Sequence, residues 1–208
     1  MLHRNRIYAI VEGHGEAEAP NKNQQPAVTT LIQKLLNDLE CYMLFPSGRP
    51  PWRMRSQGDF FADQKLENVI RAHKKYPDCA AILILFDLDD GCPKEKAPML
   101  TKRFRDMEEL PFSIIVVCAK REYEAWFLAS LESIHPTHTY PGNPESIRDA
   151  KGWLRRQFGY RERRDQTHYT QELDLKLAYK RSRSFRRLHH SFEEITSAFA
   201  NNQLIITP

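Results

Sequence analysis

The stretch Ala80-Ala81-Ile82-Leu83-Ile84-Leu85-Phe86 constrains the fold more than any other part of this 208-residue chain. Seven consecutive apolar residues match a central parallel strand covered on both faces. The run stops abruptly at Asp87-Leu88-Asp89-Asp90-Gly91. Two further runs read as buried strands. Arg6-Ile7-Tyr8-Ala9-Ile10-Val11 is β-branched and aromatic and halts at Glu12-Gly13-His14-Gly15, and Phe112-Ser113-Ile114-Ile115-Val116-Val117-Cys118 is the other. Tyr42-Met43-Leu44-Phe45 is a fourth strand candidate, broken by Pro46, Gly48, Pro50 and Pro51 in a loop that also carries Arg49, Trp52, Arg53 and Arg55.

Between the strands the period changes. Apolar residues at 28, 31, 32, 35, 36 and 39 predict a helix over 28–39, and helices are also expected over 61–75, 96–110 and 122–131. Strands alternating with helices predict an α/β, doubly wound, mostly parallel sheet of about four strands flanked by helices. From residue 143 onward the pattern is helical, over 147–158, 174–179 and 185–199, without strong strand signals. The expected organisation is an acidic body over 1–142 with a basic helical extension over 143–208 packed on it.

A chain of this length buries roughly 70% of its unfolded surface and can build its own core. With 28% charged and 11% aromatic residues it is neither disordered nor fibrous in composition. No run approaches the ~18–20 apolar residues that span a bilayer. The apolar run after Met1-Leu2-His3-Arg4-Asn5-Arg6 is too short and too acidic for a signal peptide. Cys41, Cys79, Cys92 and Cys118 are scattered, with no CxxC pair, which argues against a disulfide framework or zinc site and makes a reducing cytoplasm the expected location.

The formal net charge of +4 conceals an asymmetry. Residues 151–190 hold 12 Lys+Arg against 4 Asp+Glu, whereas the rest of the chain holds 19 against 23. A basic segment beside an acidic body points to a polyanionic partner, the alternative being a merely solvated helical surface. The candidates for contact with nucleic acid are Arg155, Arg156, Arg163, Arg164, Lys180, Arg181, Arg183, Arg186 and Arg187. Arginine meets phosphate bidentately, and the interleaved Trp153, Phe158 and Phe185 either stack on exposed bases or belong to the core. With no helix-turn-helix, zinc finger or RNP motif, the expected binding is backbone-directed and salt-sensitive.

Acids stand where an open parallel sheet places its chemistry, beyond the carboxyl ends of the strands. Glu12 follows the first strand; Asp87 and Asp89 follow the central one, with two-residue spacing that keeps both on one side of an extended chain. Glu16 faces the same point as Glu12 if the turn between them is helical, and Glu122 and Glu124 follow the strand ending at Cys118. Converging carboxylates repel unless protonated or neutralised, and divalent Mg²⁺ or Mn²⁺ with its preference for oxygen ligands is the economical solution. Two such ions, about 3.5–4 Å apart, clamp the attacking and leaving oxygens in phosphodiester cleavage. Gly13 and Gly15 serve either a tight turn or the close approach of a phosphate to the backbone. His14 either contacts substrate or is simply solvated. His135 and His138, in His-Pro-Thr-His, are a weaker metal pair because Pro136 disfavours a helix between them.

Ile10-Val11-Glu12-Gly13 followed at a distance by Leu85-Phe86-Asp87-Leu88-Asp89 resembles the TOPRIM domain of topoisomerases, primases and OLD-type nucleases. Val11-Glu12-Gly13-His14-Gly15-Glu16-Ala17-Glu18, together with Arg121-Glu122-Tyr123-Glu124-Ala125-Trp126, is closer to the OLD-type variant and to small TOPRIM-like bacterial proteins encoded beside ABC-type ATPases in anti-phage defence loci. The resemblance covers residues 5–131, with a looser match around Ser184-Phe185-Arg186-Arg187-Leu188. It implies a Rossmann-like fold and a metal-dependent nuclease partnered by an ATPase. It implies that Glu12 is a metal ligand or general base, that Asp87 and Asp89 are catalytic metal ligands, and that Glu16 joins a first Mg²⁺ or Mn²⁺ and Glu124 a second. A lysine near the scissile phosphate is also implied, for which Lys151, Lys176 and Lys180 are the candidates. The chain has no Gly-x-x-x-x-Gly-Lys-Ser/Thr loop, so an ATPase activity would belong to the partner. Two alternatives stand beside this one. One is a non-catalytic nucleic-acid-binding or regulatory subunit; the other, a haloacid-dehalogenase-like phosphatase, is weakened because Asp90 intervenes before Gly91 and the motif lies on a later strand.

Overall fold

Apolar runs that alternate between two faces set the architecture. The computed structural model describes residues 4–62, 64–107 and 109–207. In chain order these form β1 (Arg6–Val11), α1 (His14–Ala17), α2 (Ala27–Asp38), β2 (Phe45–Pro46), β3 (Trp52–Arg53), α3 (Gln57–Phe61), α4 (Lys65–Ala72), a 3-10 turn (His73–Lys75) and β4 (Cys79–Asp87). There follow α5 (Pro93–Arg105), β5 (Ser113–Ala119), α6 (Glu124–Ala129), α7 (Leu131–Ile134), α8 (Ala150–Phe158), α9 (Glu162–Glu172), α10 (Leu175–Arg181), α11 (Arg183–Ala200) and β6 (Ile206–Thr207).

The sheet order is β2-β1-β4-β5-β6, with β3 pairing β1, and all these pairings are parallel. As the apolar run predicts, β4 is the central strand, and eight of its nine residues are buried. Along β1 and β4, Ile7, Ala9, Val11, Ala81, Leu83 and Leu85 enter one apolar layer, whereas Tyr8, Ile10, Ile82, Ile84 and Phe86 enter the other. Helix α2 covers the first face and α5 the second, so the connections leaving β1 and β4 lie on opposite sides. The carboxyl ends of β1 and β4 therefore flank a topological switch point, the crevice in which open α/β sheets bind ligands.

The strands expected at 7–11, 80–86 and 112–118 are present, but the sheet is larger than four strands. Only Phe45–Pro46 pairs in the expected 42–45 region, leaving Tyr42 and Met43 exposed. Strands β3 and β6 are two-residue additions at the two edges, too short to produce a periodic signal. The helix expected over 61–75 is broken at Gln64, whose φ of 57° is left-handed. Helix α5 starts three residues earlier than expected, at Pro93, because a proline is well suited to the first helical position. Helix α9 has no counterpart among the helices expected from periodicity. Its buried residues are Gln166, Thr167, Tyr169 and Thr170, so it lacks an apolar stripe.

Residues on both sides of position 142 share one core. Trp126, Phe127 and Leu128 of α6 pack with Leu154, Tyr160, Tyr169, Phe185, Leu188 and Phe192. Trp126 is fully buried, and its indole N–H donates to Ser184 Oγ at 2.9 Å, which ties α6 to α11. Among the described residues no helix is long and apolar enough to cross a membrane.

Candidate functional site

Parallel register brings the acids to one edge. Val11 stands beside Leu85, and Asp87 beside Ala119, so Glu12 and Asp87 emerge at neighbouring strand ends. Asp87 Oδ1 accepts the Tyr123 N–H at 2.9 Å, which draws the start of α6, and with it Glu124, to the same place. The turn after Glu12 is helical over His14–Ala17, and this buries Glu16. Glu16 Oε1 accepts from Gln166 Nε2 at 2.9 Å, and Glu124 Oε1 accepts from Tyr160 Oη at 3.0 Å.

Lys151 stands among these carboxylates. Asp149 caps α8 by accepting the Gly152 N–H at 2.8 Å, which orients the first turn of the helix. Lys151 then donates its backbone N–H to Glu122 Oε2 at 2.9 Å and its ammonium to Glu162 Oε2 at 2.8 Å. The ammonium lies 3.8 Å from Glu124 Oε1. Of the three candidate lysines, Lys151 is the one in the crevice; Lys176 and Lys180 lie on α10.

Electrostatics records the crowding. Burial, then Glu16, Glu124 and Glu12, push the Asp87 carboxyl well above the usual carboxylate range. Burial raises Glu16 to about 7 against the opposing hydrogen bond from Gln166, with Glu162 adding to the rise. Burial raises Glu124 to about 8; Lys151 opposes this, while Glu16, Glu122 and Glu162 reinforce it. Glu12 is raised by burial and by Asp89, against hydrogen bonding from the Gln57 backbone. Burial alone would lower the Lys151 ammonium, but Glu124, Glu162 and Asp87 outweigh it and hold the lysine charged.

Asp89 is placed differently from Asp87. The chain leaves the extended conformation after Asp87, so the two-residue spacing no longer puts both on one side. Asp89 adopts φ 46° opposite Arg121 at φ 71°, and its N–H donates to Arg121 O at 3.1 Å. Left-handed non-glycine residues cost on the order of 1–3 kcal/mol each and concentrate at functional loops. Asp89 is exposed, yet near enough to raise both Glu12 and Glu122. The crevice thus has an inner group, Glu16, Asp87 and Glu124 around Lys151, and an outer one, Asp89 and Glu122, with Glu12 between them.

Among the described residues, no three His, Cys, Asp or Glu side chains converge closely enough to form a ready metal cage. The donor set nevertheless fits a hard divalent cation. It is all carboxylate oxygen, and Glu12 Oε2 and Glu124 Oε2 are buried without a hydrogen-bond partner. Glu12, Glu16, Asp87 and Glu124 are the residues that would hold it. Because Glu16 and Glu124 titrate near 7 and 8 in the folded chain and near 4.5 when unfolded, folding favours their protonated forms. Their contribution to stability is complete below pH ~4.5 and is lost as pH rises through 7 to 8. The urea midpoint in EDTA is accordingly expected to fall from pH 5 to pH 9, and Mn²⁺ to recover it at pH 8; a midpoint that climbs across this range would contradict the charge crowding.

Both glycines of the first turn serve close packing rather than a left-handed turn. A Cβ on Gly13 would lie 1.9 Å from Glu16 Oε2, and one on Gly15 would lie 1.6 Å from Gln166 Oε1. Gly15 also donates its N–H to Glu162 Oε1 at 3.1 Å. Gly15→Ala is expected to destabilise the fold by roughly 1–3 kcal/mol in urea denaturation, because Gln166 is buried and tied to Glu16. A variant as stable as the parent would show that α9 slides aside freely.

The basic residues divide. Arg163 Nη2 lies 3.0 Å from His14 Nδ1, and Arg53 Nη1 lies 2.9 Å from His14 Nε2, so two guanidinium groups flank the residue two positions after Glu12. Arg156 pairs with Asp149, Arg164 with Asp165, Arg181 with Glu132 and Arg187 with Glu194. Arg186 donates to the carbonyls of Tyr179 and Lys180. Arg155, Lys180 and Arg183 make no side-chain hydrogen bond or ion pair with the described residues and are exposed. The interleaved aromatics are packing residues: Phe185 is buried against Trp126, Trp153 packs on Tyr140, and Phe158 stacks on His135 at 3.7 Å between ring centroids. His135 also meets Tyr169 Oη at 2.8 Å, so it is held by neighbouring side chains.

Sequence reasoning missed Tyr160, Glu162 and Gln166, and Arg53 as a neighbour of His14. The available signal was the polar face of 162–172 itself: a helix that buries Gln and Thr packs against a polar site. No curated protein and no solved structure matches the chain. A family profile matches residues 11–193, which takes in every acid of the crevice as well as Lys151, and the chain therefore belongs to the family described as Domain of unknown function (DUF4276).

Proposed function

We propose that the chain is a metal-dependent phosphodiesterase, a TOPRIM-like nuclease of the OLD type acting on DNA or RNA. The observation that carries this reading is the gathering of Glu12, Glu16, Asp87 and Glu124 at the switch point of a parallel sheet, with carboxylate oxygens of Glu12 and Glu124 buried and unpartnered. Mg²⁺ or Mn²⁺, when bound, supplies charge neutralisation and polarisation of the phosphate. Glu12, at the mouth between inner and outer acids, accepts the proton of the attacking water. Lys151 provides a fixed positive charge for the developing charge on phosphate oxygens, while Glu162, through the ammonium, keeps it in position. Arg53 and Arg163, on either side of His14, hold the phosphate backbone beside Glu12. An ABC-type ATPase partner and a role in anti-phage defence follow from the sequence resemblance and belong to the same proposal.

The test is cleavage of labelled single- and double-stranded DNA and RNA by purified protein, with and without its neighbour-encoded ATPase, in Mg²⁺, Mn²⁺ and EDTA. Metal-dependent products are expected. No product with any substrate, metal or partner would overturn the reading.

One observation favours the second reading, a non-catalytic nucleic-acid-binding subunit. The Lys151 ammonium already offsets the inner carboxylates, so charge compensation does not require an ion. That reading predicts salt-sensitive retardation of nucleic acid without cleavage, and no change in melting temperature on adding Mn²⁺.

A further inference from the structure

Strand β6 pairs with Ile114 and Ile115 of β5, and among the described residues no strand covers the edge of β5 beyond them. Helix α5 lies on one side of that gap and α11 on the other, and a cleft of about 700 Å³ opens between them. Val116 and Cys118 of β5 are buried beneath its floor, and Cys92, Pro93 and Pro98 give it an accessible apolar wall, in a volume of the size that ligand sites occupy.

The rim is cationic, and its charges are unequally engaged. Lys120 donates to Gly91 O at 2.8 Å, and Arg187 is held by Glu194 and Thr207. Lys94 on α5 and Arg183 on α11, in contrast, make no hydrogen bond or ion pair with the described residues. The two acids of the lining are already committed: Asp90 to Arg121 and Arg148, and Glu145 Oε1 to the Ser182 hydroxyl at 2.7 Å and the Ser184 N–H at 2.6 Å. Two open cations on facing walls of an apolar cleft suit a doubly charged group attached to a flat apolar body. Arg183 offers bidentate donors to phosphate, and Lys94 a point charge from the other wall.

We propose that this cleft binds a nucleoside phosphate, either free or as the phosphorylated end of a strand. The ring lies against Pro93 and Pro98 beside Cys92, and the phosphate bridges Lys94 and Arg183. The cleft opens at the carboxyl side of the sheet and includes Asp90 and Gly91, immediately after Asp89. A ligand there touches the turn that carries the outer acid Asp89. The proposal is independent of whether the acidic crevice cleaves anything.

Calorimetric titration in EDTA, which removes metal from the acidic crevice, tests it with AMP, GMP, CMP, UMP, adenosine, inorganic phosphate and a 5′-phosphorylated trinucleotide. At least one nucleotide is expected to bind tenfold or more tightly than adenosine or phosphate. The double variant K94A/R183A is expected to weaken that binding at least tenfold with no change in unliganded melting temperature, since both side chains are exposed and unbonded. Tighter binding of the trinucleotide than of AMP identifies a strand end, and equal or weaker binding a free nucleotide. Absence of saturable binding by any nucleotide, phosphate binding as tightly as the nucleotides, or an unaltered affinity in the double variant would each overturn it.

Discussion

Asp87→Asn is expected to reduce metal-dependent cleavage by at least about 10²–10³-fold while leaving the fold intact, and to raise the melting temperature at pH 8 in EDTA. Asn keeps the oxygen that accepts the Tyr123 N–H, so the start of α6 stays in place. It removes the carboxylate whose ionisation is opposed by burial and by Glu16, Glu124 and Glu12. A group with a raised folded-state pKa destabilises the fold once it is ionised, so its loss stabilises the metal-free chain at high pH. The two readouts therefore move in opposite directions, activity down and stability up. Cleavage at the parental rate would remove Asp87 from the chemistry, and a lower melting temperature would show that its charge is better compensated than the surrounding carboxylates imply.

Lys151→Met is expected to have the largest effect on stability. Met retains much of the apolar stem but leaves Glu124 and Glu162 without their cation. Removing one partner of a buried ion pair costs about 3–5 kcal/mol, and the lower part of that range applies because Lys151 is 30% exposed. The loss is expected to be large at pH 8 and smaller at pH 5, where Glu16 and Glu124, with folded-state values of about 7 and 8, take up protons. Mn²⁺ is expected to restore part of it at pH 8 by supplying charge to the same oxygens. Urea denaturation at both pH values, with and without Mn²⁺, measures all of this. A pH-independent loss would mean that the lysine matters through packing alone.

Much of the fold was legible because it rests on local pattern. The continuous run at 80–86 became the central strand, and helix 28–39 appeared within a residue of its expected limits. The exceptions share a cause. Strands β3 and β6 exist only because their partners offer an edge, and two residues carry no period of their own. Helix α9 buries polar side chains, so hydrophobic periodicity is blind to it. The Asp87-Leu88-Asp89 spacing assumed an extended backbone, whereas the Asp89–Arg121 bridge turns the chain. The aromatics at 153, 158 and 185 and several arginines are occupied within the fold, which spacing alone does not distinguish from surface display.

By itself the sequence determined which acids stand at strand ends, because a strand and the residue that terminates it are neighbours along the chain. Tertiary structure decided what those acids face. Glu16, Asp87, Glu124, Lys151 and Glu162 come from α1, β4, α6, α8 and α9, and Coulomb interactions depend on distance through space, not on separation in sequence. Only the packing of α8 and α9 against α1 and α6 converts separate carboxylates into one crowded, lysine-centred crevice.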